Sequence, residues 1–154
     1  MKTVSLGYED ETRISKLEIA RVQLCEAISL FLANKYVCSI TLAGAAEAVL
    51  AGLAKQSGGT SIVEDSAEAI QELRQTTNLS IGSSMNNNDL FAAWNSSRNR
   101  LKHHDKEEAE TIVINLFDEA YWMIRRAIAN AAKIELTIEN KVDFENWIIV
   151  NVNM

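Results

Sequence analysis

Both histidines of the chain stand side by side in the run Ser97-Arg98-Asn99-Arg100-Leu101-Lys102-His103-His104-Asp105. From Arg98 to Lys106 there are four basic residues and one acid, a local +3 in a chain of formal charge -6, which leaves -9 for the remainder. Such concentration in an acidic protein marks an anion site that is local, not a basic coat for bulk nucleic-acid binding. An imidazole, with a reference pKa of about 6.5, takes up and gives back a proton near neutral pH. The planar fork of Arg98 suits phosphate or carboxylate oxygens better than a Lys would, and the side-chain amide of Asn99 can orient one of them. A plainer role stands beside this one: cations near a helix C-terminus interact favourably with the helix dipole, and Arg98 can simply pair with a carboxylate. His103 with Glu107, and His104 with Glu108, have the i, i+4 spacing of metal ligands if the helix runs on, but no third and fourth ligand converge, and no metal is assigned.

The hydrophobic pattern supplies the elements that hold this run. Residues 12–33 read as a first helix, with Ile14, Leu17, Leu24, Ile28 and Phe31 along one side. After the short link Asn34-Lys35, a second helix over 36–57 folds back as an antiparallel partner and, being apolar almost all round, lies in the middle of the protein. Gly44, Ala48 and Gly52 form a smooth strip on it for close approach of a neighbouring backbone. Glu47 is its sole charge before Lys55 and needs a partner: a salt bridge tying two helices, or a supporting role orienting Arg98. Ser57-Gly58-Gly59-Thr60 ends that helix. A third follows over 61–76 with the sparse face Ile62, Ala69, Ile70 and Leu73, and the polar stretch 78–88 reads as a mobile loop. Asn88 caps a fourth helix whose Leu90, Trp94 and Leu101 face inward. Thr111-Ile112-Val113-Ile114 is β-branched and extended, and Asn115 caps a long fifth helix over 116–137. Phe144, Trp147 and Ile148 dock a last short helix. Trp94, Trp122 and Trp147 are read as core residues, not as platforms for bases.

The expectation is one all-α up-and-down bundle of four to five main helices over 12–138, after a tail over 1–11, with a segment over 139–154 packing on it. Its 154 residues contain no Pro, where an average sequence would hold roughly eight, and this fits a helix-dominated fold. The first residues lack the apolar stretch of a secretory signal. Residues 37–54 reach the length of a membrane span, but their Ala content and central carboxylate favour a buried helix in a protein with no membrane contact. Cys25 and Cys38 read as buried free thiols of a cytoplasmic protein.

Arg98-Asn99, three further residues and His103 match the R-x(4-6)-H pattern, with a polar residue after the Arg, of the HEPN superfamily. Together with Leu42-Ala43-Gly44-Ala45-Ala46-Glu47, the run resembles a bacterial HEPN-like group of this size, over residues 12 to 138. The resemblance implies a metal-independent endoribonuclease without cofactor, often a toxin or defence component, and a homodimer facing two motifs across a cleft. Arg98, Asn99 and His103 would be catalytic; Arg100, Lys102 and His104 would bind RNA; Glu47 would support Arg98. Attack by a neighbouring 2′-hydroxyl needs a proton acceptor and donor, which His103 supplies, and fixed donors for the developing phosphorane charge, which Arg98 supplies. Arg98 with His104 satisfies the spacing equally. An antitoxin would be the partner of such a toxin; other members of the superfamily are non-catalytic, so the second reading is an interaction module, the helical partner of a nucleotidyltransferase-like or other protein. Apolar surface on the second helix and on the fifth, with Tyr121, Trp122, Ile124 and Ile128, independently predicts a dimer.

Overall fold

The computed structural model describes residues 6–77, 85–107 and 109–152, and every described element is helical. The helices are α1 (Lys16–Leu32), α2 (Tyr36–Gln56), α3 (Ile62–Thr77), α4 (Asn87–Lys102), α5 (Leu116–Lys133) and α6 (Lys141–Asn151). The all-α bundle expected from the sequence is the observed class.

Local chemistry sets the ends. Ser15 accepts the Glu18 N–H, so α1 starts later than the apolar pattern suggested, and Ile14 and Leu17 stay substantially exposed. Helices α1, α2 and α5 all close with a residue of positive φ, at Asn34 (60°), Gly58 (89°) and Glu135 (55°). In each, that residue's N–H and the next one's turn back onto carbonyls of the last helical turn, as in Asn34 to Phe31 and Lys35 to Leu30. At Glu135 this stops α5 four residues short of the expected end, with no Gly or Asn to announce it. Helix α4 is capped by Asn86, not Asn88: Asn86 accepts the Asp89 N–H at 3.0 Å while Asp89 accepts the Asn86 N–H at 3.0 Å, and this reciprocal pair satisfies two free donors. Asn115 caps α5 as expected, accepting the Asp118 N–H at 3.1 Å. Of the stretch 78–88 read as a loop, residues 78–84 lie outside the described ones.

Helix α2 is the core helix, packed between α1 and α5. By length and composition it could cross a membrane, yet Ile40, Ala43, Ala46 and Leu50 are fully buried against the bundle. Tyr36, Phe117, Phe144 and Trp147 ring Phe31 at centroid distances of 5.2 to 5.5 Å and fasten α6 and the start of α5 onto α1. Three of these pairs are edge-to-face and the Phe31–Phe117 pair is tilted, and such aromatic packing adds about 0.5–1.5 kcal/mol per pair beyond burial. Helices α3 and α4 pack more lightly at the side, with Ala67 and Leu90 their buried apolar residues. Ala69, assigned to the inner face of α3, is exposed.

Several other expectations are corrected. Cys38 is exposed and Cys25 half-buried, its thiol donating to Glu139 Oε2 at 2.9 Å. Burial pushes the Cys25 thiol pKa up. Thr111–Ile114 needs no correction: it lies outside any helix, with Ile112 and Ile114 half-buried and Thr111 and Val113 exposed, the alternation of the extended chain expected there. Trp147 joins the core and Trp94 is half-buried, but Trp122 is 61% exposed. Ile124 and Ile128, assigned to a surplus apolar face, are consumed inside the bundle.

Candidate functional site

Helix α4 divides the predicted site in two. Its last turn ends where the His103 N–H bonds to the Asn99 carbonyl at 3.1 Å, and His103 itself is extended, with φ -123° and ψ 145°. The helix therefore does not run through residues 103–107, and the i, i+4 metal spacing of His103 and Glu107 is not realised; Glu108 lies outside the described residues. Among the described residues no three His, Cys, Asp or Glu side chains cluster to hold a metal. Past the helix end the chain folds back, and Arg100, Leu101, Lys102, His103 and His104 face Ala109, Glu110, Thr111 and Ile112 across an open cavity of 500 Å³. Both imidazoles and two of the basic side chains line it, and all four residues are exposed.

Arg98 points elsewhere. Its side chain crosses α2 over Gly44, where the guanidinium donates to the Gly44 carbonyl at 3.2 Å and pairs with Glu47 Oε2 at 3.5 Å. Only 16% of the side chain is exposed, and neither Arg98 nor Asn99 lines the cavity of the histidines. One turn of helix separates Arg98 from Lys102, but Arg98 faces the bundle and Lys102 faces water. Gly44 makes the crossing possible: a Cβ there would lie 2.4 Å from Arg98 Cδ and 2.9 Å from Cγ. The strip Gly44, Ala48, Gly52 is thus used at one position, and by a side chain instead of a helix backbone. Ala48 and Gly52 are exposed.

Glu47 is the centre of a buried polar node that ties three helices to α2. Its Oε1 lies 3.3 Å from the Arg126 guanidinium and accepts from Asn130 Nδ2 at 3.3 Å, while Oε2 faces Arg98. Arg126 also donates to the Trp94 carbonyl and to Asn95 Oδ1, both at 2.9 Å, which joins α5 to α4. Asn130, fully buried, accepts the Ile62 N–H at 2.8 Å and so takes up a free donor from the first turn of α3. The two roles set out for Glu47, tying helices and holding Arg98, are one geometry. Two guanidiniums share one carboxylate here, and Nε of Arg98 and Nε of Arg126 are both buried without a hydrogen-bond partner.

Arg126, Asn130 and Asn95 escaped the sequence reading. A signal was present: Arg126 and Asn130 stand i, i+4 on the face of α5 that also carries Met123, Ala127 and Ala131, and polar side chains on a buried face require partners. The box Ser61-x-x-Glu64 was equally legible, with Glu64 accepting from the Ser61 N–H at 2.8 Å and the Ser61 hydroxyl receiving the Glu64 N–H at 3.3 Å.

A scan against family models and searches of curated proteins and of solved structures find no match for the chain.

Proposed function

We propose that the chain is a metal-independent endoribonuclease of HEPN type that works at the C-terminal end of α4, with His103 as proton acceptor and donor. The supporting observation is the cavity itself: two imidazoles, Arg100 and Lys102 converge on one open 500 Å³ pocket in a chain whose remainder is strongly acidic. A phosphodiester enters such a pocket through its charge, and one imidazole at neutral pH removes the 2′-hydroxyl proton while the leaving oxygen takes a proton from a second group. His104, which lines the same cavity, is assigned as that second group. Arg100 and Lys102 hold the backbone of the RNA, and Asn99 stands beside them on α4. In this reading Arg98 works from beneath, fixing α4 on α2 through Gly44 and Glu47. A homodimer in the cytoplasm, opposed by an antitoxin, belongs to the same proposal.

The burial of Arg98 favours the alternative, a non-catalytic module whose α4 end meets another protein, such as a nucleotidyltransferase-like partner. Cleavage of a mixed-sequence RNA in EDTA separates the two. The nuclease reading expects product from the wild-type chain and none from His103→Ala, with RNA binding retained, because removing a proton-transfer group acts on the transition state. Absence of cleavage by the folded wild-type protein leaves the interaction module.

A further inference from the structure

A second cleft opens on the side of the bundle where α3, α4 and α5 meet, remote in character from the histidine pocket. It has a volume of 550 Å³, within the range of small-molecule sites of about 300–1,000 Å³. Its walls are chiefly apolar, from Ile62, Ala93, Trp94 and Trp122, and its charged residues are Glu119, Arg125 and Arg126. We infer that this cleft binds a planar aromatic monoanion, a carboxylate whose ring lies on Trp122 and whose charge meets Arg125 and Arg126.

The aromatic part follows from Trp122. Trp122 has 61% of its surface in water at the wall of a concave site that Trp94 also lines; Tyr121 meets its ring in a T-shaped contact at a centroid distance of 4.9 Å, and most of the ring stays open to the cleft. A ring stacked on it recovers burial, and an aromatic pair adds about 0.5–1.5 kcal/mol. The anionic part follows from the node beneath. Glu47 carries one negative charge against the two of Arg98 and Arg126, so the node is one carboxylate short, and both Nε atoms lack a partner. A buried charge without full compensation is costly. Arg126 is the member of that node that lines the cleft; its Nε is buried and its terminal nitrogens already meet Trp94, Asn95 and Glu47, so an anion placed there supplies the missing charge and not a partner for Nε.

The count of charges selects a single one. Around the cleft Arg125 pairs with Glu145 of α6 at 3.9 Å, a carboxylate that Lys141 also approaches at 3.7 Å, so with Glu119 the two acids and two bases cancel. What remains is the single positive excess of the node. A carboxylate satisfies it, and its two oxygens match the guanidinium fork of Arg125, the exposed Arg of the cleft. A phosphate monoester, carrying close to two charges at neutral pH, would add repulsion from Glu119.

Titration of the full chain with 2-naphthoate, followed by tryptophan fluorescence and thermal shift, tests the assignment. Saturable quenching and a raised Tm are expected. The neutral 2-naphthamide should bind about tenfold more weakly or worse, the loss of one charge-assisted contact of about 1.4 kcal/mol. Trp122→Ala, an exposed position whose folding is checked by circular dichroism, should weaken binding about tenfold by the thermal readout, as should Arg125→Gln. Failure of 2-naphthoate to bind, equal binding of the amide, unchanged affinity in folded Trp122→Ala, or tighter binding of naphthyl phosphate would each overturn the proposal.

Discussion

The two ends of Arg98-Asn99-Arg100-Leu101-Lys102-His103 live in different solvents. Arg98 is most of the way into the protein, held by a carbonyl and a carboxylate from a helix more than fifty residues earlier in the chain. His103 stands in water at a helix end, with neighbours on its cavity wall that come from the residues just before and just after it. The first region is a matter of stability, because its groups have exchanged water for one another and any removal strands a partner. The second is a matter of chemistry, because its groups are still free to meet something new. A short motif that reads as one unit in sequence is therefore two devices sharing a helix, one that seats α4 and one that α4 presents.

That contrast is open to measurement by chemical unfolding. Glu47→Ala should have the largest effect, a loss of about 3–5 kcal/mol, because it leaves two buried guanidiniums facing no charge. A loss under 1 kcal/mol would mean that water already compensates the node. Gly44→Ala should cost about 1–3 kcal/mol by driving a methyl group into Arg98, and most of that cost should vanish in the double variant with Arg98→Ala, a non-additivity that two independent sites would not show. His103→Ala and Lys102→Ala should change stability by less than about 0.5 kcal/mol, whatever they do to function. If His103→Ala unfolds the chain instead, the pocket is as structural as the node.

The gentlest perturbation is acid. The carboxyl of Glu64 is lowered from its usual 4.5 by its bonds with Lys55 and Ser61, and that of Asp65 from 3.8 by Lys133 and Thr60. Both groups hold protons more weakly folded than unfolded, so their contribution is complete above the unfolded values and disappears as pH falls through the folded ones. Both keep more than a third of the side chain in solvent, which keeps the effect small. The protection of α3 backbone amides, measured against their intrinsic exchange rates, should therefore fall below about pH 4 while that of α2 persists.

How much of this could be read beforehand differs between the same two regions. The helices were legible because their cues are local: the apolar period of α1 and α5, the glycine pair after α2, the Asn115 cap. The gathering of Arg100, Lys102, His103 and His104 was legible for the same reason, since adjacency in sequence brings them together. Glu47 was recognisable as a charge needing a partner, but its partners were not, because Arg98, Arg126 and Asn130 reach it through the crossing of helices, and no spacing along the chain encodes that angle. Glu135 ending α5 and Trp122 left in water were missed on similar grounds. A left-handed residue other than Gly or Asn carries no compositional mark, and an amphipathic pattern does not say where the bundle runs out of neighbours to cover it.

Gly44 and Arg98 have a consequence for how this sequence can drift. The long side chain occupies the space that any β-carbon at position 44 would need, so the two positions should change together. Related chains that keep Arg at 98 should hold Gly at 44, and an Ala or Ser at 44 should occur beside a short residue at 98. The order of change is constrained as well: shortening position 98 first opens a path, whereas enlarging position 44 first meets a barrier that selection would register as lost protein.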